Sequence, residues 1–417
     1  MKTPLIDAVA DEARRRFLVS SALAGGGLAL GVPLPEAALA ADATAPGAEL
    51  NVWVVVRPDD TCVVRFARTE MGQGTLTGLA QLVAEELDCD WAKVTTEAIT
   101  PGRNFASKRA WGEMGTGGSR GIRTSQDYVR RGGAAARLML MQAAAAQWQV
   151  PLGELTVDAG VITHPASGRS VRYGQVAAAA ARLPAPDPKS LTLKDPKTWK
   201  IAGQPLKRLD TADKLDGSKV YAIDLRLPGM LCAAIRSCPV YGGKLVSFDA
   251  DTIKGRPGVR GAVRVNDSTV AVVADTWWRA KSALEALPVV WDEGAGATQS
   301  SARIATFLAD GLTSDNAFAD RKEGDAPAAI AGAARKVEAV YSTPFLAHAT
   351  MEPMNCTARI TAERGEVWVP TQNGEGALAA LSEQSGLPLA QCEVYKHTLG
   401  GGFGRRGQQD FVRQAVA

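Results

Sequence analysis

The sequence predicts a multi-domain α+β protein. At 417 residues the chain has room for two to four domains of about 100–200 residues each. Alternating β-type runs and amphipathic helical runs occur together in each part of it. A Pro-rich, charged connector at 183–218, with Pro184, Pro186, Pro188, Pro196 and Pro205, marks a domain boundary. Hydrophobic residues make up 46% and charged residues 22%, so the chain can build ordinary cores. A net charge of +3 is too small to indicate nucleic acid or an anionic membrane as partner.

The elements follow from local pattern. Runs 51–56 and 61–66 flank Pro58-Asp59-Asp60 and predict a β-hairpin. Leu76, Leu79, Ala80, Val83 and Leu87 recur with helical spacing and predict a helix over 75–87. A strand at 93–98 and an Ala-rich helix over 124–148 follow, with Gly132-Gly133 as a point where the helix can kink. Beyond the connector, 217–294 predicts a compact α+β unit: strands at 219–225, 230–236, 259–265 and 269–274, a helix over 276–287, and a strand at 288–291. A polar, Ala-rich link at 295–333 leads to a β-rich region with strands at 336–341, 355–360, 366–369 and 392–398. No repeat of short fixed period is present.

Residues 1–40 predict a cleaved export signal. Arg14-Arg15-Arg16-Phe17-Leu18 opens a small-residue, apolar stretch to about Leu34, and Ala38-Leu39-Ala40 offers a cleavage site. The paired arginines resemble a twin-arginine signal, which implies a periplasmic protein exported already folded. Glycines and prolines interrupt the apolar run, and it is shorter than the roughly 20 residues that span a bilayer. Six cysteines include no CxxC pair, and there are three histidines. That argues against a zinc or iron–sulfur centre in this chain. Cys232 and Cys238 are open to two readings, a disulfide or buried free thiols.

Three glycine-rich turns stand out. Thr69-Glu70-Met71-Gly72-Gln73-Gly74 precedes a helix, whose N-terminus receives anions; Gln73 adds an amide suited to a heterocycle edge. Met114-Gly115-Thr116-Gly117-Gly118-Ser119-Arg120-Gly121 also leads into a helix, with Ser119 as N-cap or phosphate ligand and Arg120 and Arg123 as cations. Gly400-Gly401-Gly402-Phe403-Gly404-Arg405-Arg406-Gly407 follows a strand, and its main chain can press against a flat ligand walled by Phe403. Thr371-Gln372-Asn373 adds polar amides at a strand end, just after His348 to Pro353. Each also has a plain reading as a turn, a capped helix start or a surface loop.

Taken together, EMGQG (70–74), TQN (371–373) and GGGFGRR (400–406) resemble the xanthine dehydrogenase/aldehyde oxidase group of molybdenum hydroxylases. The arrangement resembles its isoquinoline 1-oxidoreductase beta-subunit and membrane-linked aldehyde dehydrogenase branch. The resemblance implies molybdopterin-binding α+β segments at 41–182 and 295–417, a linker at 183–216 and an a/b hammerhead domain at 217–294. It implies a molybdenum ion held by the dithiolene of a molybdopterin cytosine dinucleotide, with no direct protein ligand. Gln372 would contact the metal's oxo group, and Phe403 and Gly404 would line the substrate side, beside Gly401, Gly402 and Arg405. Gly72, Gln73 and Gly74 would bind the pterin, and Gly118, Ser119 and Arg120 its phosphates.

The implied reaction is hydroxylation of an aldehyde or N-heteroaromatic C–H, with water as oxygen source. Electrons would pass to a [2Fe-2S] subunit and on to a c-type cytochrome. The family's glutamate base lies in a segment beyond Ala417, and Glu352 is in the wrong place to replace it. The expectation is therefore of a fragment, or of a split gene whose second chain completes the site. The alternatives are an inactive cofactor-binding remnant and an exported nucleotide- or sugar-binding protein.

Overall fold

A computed structural model describes residues 47–316, 318 and 320–417; the export signal expected at 1–40 lies outside the described residues. Contacts divide the chain into two units, one of residues up to Gly229 together with Ala349–Ala417, the other Met230–His348. These breaks fall later along the chain than the boundaries expected at 217 and 295.

In the first unit, strands β1 (Ala48–Glu49), β2 (Val54–Val56), β3 (Cys62–Phe66) and β4 (Val94–Ala98) form a sheet in that order. β2 and β3 are the expected hairpin. β3 and β4 run parallel, joined by helix α1 (Thr75–Leu87), because a parallel return needs a crossover. Short helices α2 (Pro101–Ala106) and α3 (Arg120–Arg123) precede the long α4 (Gln126–Trp148). A Cβ on Gly132 would lie 2.6 Å from Trp53 Cδ1, and one on Gly133 2.4 Å from Val83 O. The Gly-Gly pair therefore lets α4 close on the hairpin and α1, and α4 runs through it as one helix rather than breaking there. Strands β5 (Thr156–Asp158), β6 (Val161–His164) and β7 (Arg169–Arg172) form a small antiparallel sheet before α5 (Tyr173–Ala180).

The connector is not a free linker. The N–H groups of Lys200, Ile201 and Ala202 donate to the buried Glu85 carboxylate on α1, and Lys194 N–H donates to that of Glu86. A one-turn helix α6 (Ala212–Leu215) follows. The strand expected at 219–225 is instead a 3-10 turn at Ala222–Asp224. There Tyr221 N–H bonds the Asp224 carboxylate and Ile223 N–H that of Glu352, so side chains take the donors a ladder would need.

The second unit contains β8 (Cys232–Ser237), β9 (Lys244–Phe248), β10 (Val259–Asn266), β11 (Thr269–Ala274), α7 (Trp277–Ala286) and β12 (Val289–Asp292). The sheet order is β10-β11-β8, with β12 paired to β9. Val270, Val272 and Ala274 pack with Ala280, Ala283 and Leu284 of α7 in one core. β9 was not foreseen. Helices α8 (Ser301–Gly311) and α9 (Ala326–Ala331) follow. The strand expected at 336–341 is absent. Val337, Val340 and Tyr341 are exposed, and among the described residues none receives their N–H groups, without which alternation alone makes no strand. All six cysteines are free thiols, Cys232 and Cys238 half-buried.

The first unit resumes with β13 (Thr357–Ile360), β14 (Gly365–Val369), α10 (Gly374–Ser385), β15 (Cys392–Lys396) and α11 (Asp410–Val416). β13 pairs antiparallel with β14 and β14 parallel with β15. This repeats the plan of β2-β3-α1-β4: a hairpin, then a helix, then a parallel return. In both copies the chain leaves the carboxyl end of the middle strand through a short loop into a helix, and such strand ends are where open α/β sheets place ligands. Lys396 Nζ donates to Ala67 O at 2.6 Å and ties the end of β15 to the end of β3.

Candidate active site

The loops after β3, β14 and β15, and the glycine-rich loop before α3, converge in the first unit. Thr116 is their junction. Its Oγ1 accepts from Thr69 N–H at 2.8 Å, its N–H donates to Gln372 O at 2.8 Å, and its carbonyl accepts from Gln372 Nε2 at 3.0 Å. Gln372 Oε1 accepts from Gly404 N–H at 3.0 Å, and Gln372 N–H donates to Arg406 O. Leu399 N–H donates to Glu70 O. Gly402 touches Met71 and Gln372 so closely that a Cβ would sit 2.5 Å from Met71 Sδ and 2.9 Å from Gln372 Oε1.

Buried charges hold this frame. Arg406 is fully buried. It donates to Gly401 O at 2.9 Å and to the carbonyl of Glu352, and faces the Glu352 carboxylate at 3.3 Å. That carboxylate also accepts from Gly400 N–H at 2.9 Å and from Asn355 Nδ2 at 3.0 Å. Glu352 is therefore a structural anion, with both oxygens engaged. Arg68, also buried, bonds Gly115 O, Ser125 Oγ and Thr124 Oγ1, anchoring the loop before α3 to the start of α4. Burial, with the Arg68 guanidinium beside it, brings the Lys396 ammonium down to about 7.

The turn after β3 is organised by Glu70. Its buried carboxylate accepts from Gly72 N–H at 2.8 Å, Gly74 N–H at 3.0 Å and Leu76 N–H at 3.0 Å. The N-terminus of α1 is thus capped from within, and the amides of Gly72 and Gly74 are not offered to an anion as the sequence suggested. What the two glycines offer is backbone at positive φ, 100° and 84°. Gln73 folds back on its own turn: Nε2 donates to Thr69 O and Oε1 accepts from Met71 N–H. Ser119 stands at φ 55° and makes no side-chain cap, so the capping role expected of it is not taken up. Gly118, Ser119 and Arg120 are exposed, with Arg120 near Glu113 at 3.3 Å. Arg405 makes a two-pronged pair with Asp410 at 2.8 and 2.7 Å and is turned to α11. Phe403 is 66% exposed.

Several observations fit these loops to a flat ligand with a phosphate tail. A Cβ at Gly72, Gly117 or Gly404 would meet nothing within 4 Å. The N–H groups of Gly118, Ser119, Gly402 and Phe403 find no acceptor among the described residues. Thr69 Oγ1 is buried without a partner, which calls for an explanation. Sequence reasoning missed Arg68, and it quoted Glu70, Thr116 and Arg406 inside the motifs without giving them a role; Glu352 it set aside as the base, in line with the structural part it plays. A charge set among glycines, as at 70 and 406, is the signal that could have given those two a role.

Fold and site define a set of glycine-rich loops gathered at the carboxyl ends of parallel-paired strands. Family models of the molybdopterin cofactor-binding domain match residues 9–219 and 309–417. The chain is 28% identical over 452 residues to isoquinoline 1-oxidoreductase subunit beta of Brevundimonas diminuta, covering 97% of this chain and 58% of that protein. It is 28% identical over 421 residues to a membrane-bound aldehyde dehydrogenase [pyrroloquinoline-quinone] of Gluconacetobacter polyoxogenes, covering 97% and 53%. A crystal structure of quinoline 2-oxidoreductase from Pseudomonas putida 86 superposes with a TM-score of 0.39 at 20% identity, over 49% of this chain and 31% of that one. The chain belongs to the molybdopterin cofactor-binding domain family. It spans about half the length of these two curated relatives.

Proposed function

We propose that this chain is the cofactor-binding part of an exported molybdenum hydroxylase that oxidises an aldehyde or an N-heteroaromatic C–H. The observation that carries the reading is that the turn at 69–74, through Thr69 and Met71, meets the loops at Thr116 and Gly402 beside Gln372. Gly72, Gln73 and Gly74 would hold the pterin, Gly118, Ser119 and Arg120 its phosphates, and Gln372 with Gly401 to Gly404 the metal end. When bound, a molybdenum pterin, in the cytosine dinucleotide form, supplies a two-electron sink for inserting a water oxygen into the C–H bond. The chain's own residues orient that group and wall its substrate side with Phe403.

The acid–base glutamate is assigned to further polypeptide, in this chain or a second one, because the relatives extend well beyond the matched part. Electrons pass to a [2Fe-2S] subunit and from there to a c-type cytochrome. Residues 217–294 correspond to the hammerhead, and a twin-arginine signal at residues 1–40 would direct the complex to the periplasm.

The test is metal and nucleotide analysis of the whole complex purified from its host, with dye reduction by an aldehyde and by isoquinoline. Stoichiometric molybdenum, released cytosine nucleotide and reduction by one substrate class are expected. Material free of molybdenum and inert to both substrates would overturn the reading.

A further inference from the structure

We propose that residues 194–210 form a splint along α1 that sets the conformation of the turn at 69–75, and that Arg208 is a positioning residue of the cofactor site. The proposal rests on reading that turn as part of the site. The segment runs back along α1 from its end to its start. Lys194 pairs with Asp88 at 2.8 Å, and residues 200–202 cap Glu85. Gln81 Nε2 reaches Gln204 O, and Leu209 N–H donates to Thr77 Oγ1 at 3.1 Å.

Arg208 ends the run on the turn itself. Its Nη1 donates to Gly72 O at 2.8 Å and its Nη2 to Glu70 Oε1 at 3.1 Å. The other edge of the guanidinium is fixed by Asp210 through Nε and Nη2, both at 2.9 Å, and Asp210 is further paired with Lys214.

The geometry explains why an arginine is needed. Glu70 Oε1 already takes the N–H groups of Gly72 and Gly74, and a buried carboxylate holding them needs a compensating cation. The planar fork serves Glu70, Gly72 O and Asp210 together, which a lysine ammonium cannot do at once. Without the fork, Glu70 is free to leave the amides, and the turn loses the shape that presents Gly72 and Gln73.

The experiment compares the purified, assembled wild-type protein with Arg208→Ala, Arg208→Lys and, as control, Arg321→Ala, an exposed arginine of the other unit. Amide hydrogen exchange at Gly72, Gly74 and Leu76 is read alongside molybdenum content, with and without millimolar guanidinium. Loss of the two charge-assisted bonds from Arg208 to the turn predicts exchange at those amides faster by roughly tenfold or more. It also predicts a several-fold drop in retained molybdenum in R208A, partial recovery in R208K, and restoration of both readouts by guanidinium. R321A should match wild type.

Unchanged exchange in R208A would overturn the splint. Faster exchange with full molybdenum content, or no response to guanidinium, would overturn the positioning role. Should R208A not fold, R208K and Glu70→Gln carry the same exchange comparison. A wild-type protein lacking molybdenum would sink the cofactor reading, and the exchange pattern would still decide the splint.

Discussion

Replacing Gly400 by alanine tests how the glycine-rich loop is seated. Gly400 has no positive φ, so alanine meets no backbone penalty there and any cost is steric. The new Cβ would lie 2.3 Å from Glu352 Cβ, 3.2 Å from its N and 3.3 Å from its Cα, well inside van der Waals contact. Glu352 has no room to yield. Its carboxylate is held by Gly400 N–H, Asn355 and Arg406, and its own N–H donates to Gly400 O at 3.0 Å. Separating the two segments by about 1 Å forfeits the reciprocal pair of bonds, one of them to a charged group, at about 2–3 kcal/mol. Residual overpacking adds about 1–3 kcal/mol. The expected loss is about 3–6 kcal/mol, read from urea unfolding followed by tryptophan fluorescence. Gly153→Ala, where nothing lies within 4 Å, is the control and should be neutral. In a Glu352→Gly background the clashing carbon is gone, so G400A should cost markedly less there. A G400A protein within about 1 kcal/mol of the G153A control would refute the reasoning.

Lys396 makes stability depend on pH with a definite sign. Its ammonium titrates at about 7 in the folded chain against 10.5 when exposed, so below about 7 the fold carries the whole penalty of burying a charge. Between the two values only the unfolded chain holds the proton, and stability rises with pH. Lys396→Met should stabilise the protein by about 2 kcal/mol near pH 6 and flatten that rise. Urea midpoints at about pH 6 and about pH 9 check it, and an unaltered slope would count against the assignment. Arg406→Met breaks a buried ion pair and leaves Glu352 uncompensated, an expected loss of about 3–5 kcal/mol. Adding Glu352→Leu should recover part of this, and a single-variant loss below about 1 kcal/mol would show that Arg406 does not hold the loop.

Much of the fold was legible in the sequence because its signals are local. The 75–87 helix and the 269–274 strand match their expected bounds, since apolar spacing is set by the period of the element. Elements failed where partners decide: 336–341 alternates but has no neighbour to pair with, 219–225 gives its donors to side chains, and β9 exists only because β12 lies beside it. The Gly132-Gly133 pair reads as a kink in one dimension and is a contact surface in three.

The sequence by itself determined that glycine-rich turns flank the regular elements and carry the family's motifs, because glycine's conformational freedom is visible residue by residue. Only the tertiary structure decided what those turns do. It committed the amides of Gly72 and Gly74 to Glu70, turned Arg405 to Asp410, and made Thr116 the joint between loops 256 residues apart. The physical reason is that a buried charge or amide must find a partner wherever the fold supplies one, and sequence distance carries no record of that choice.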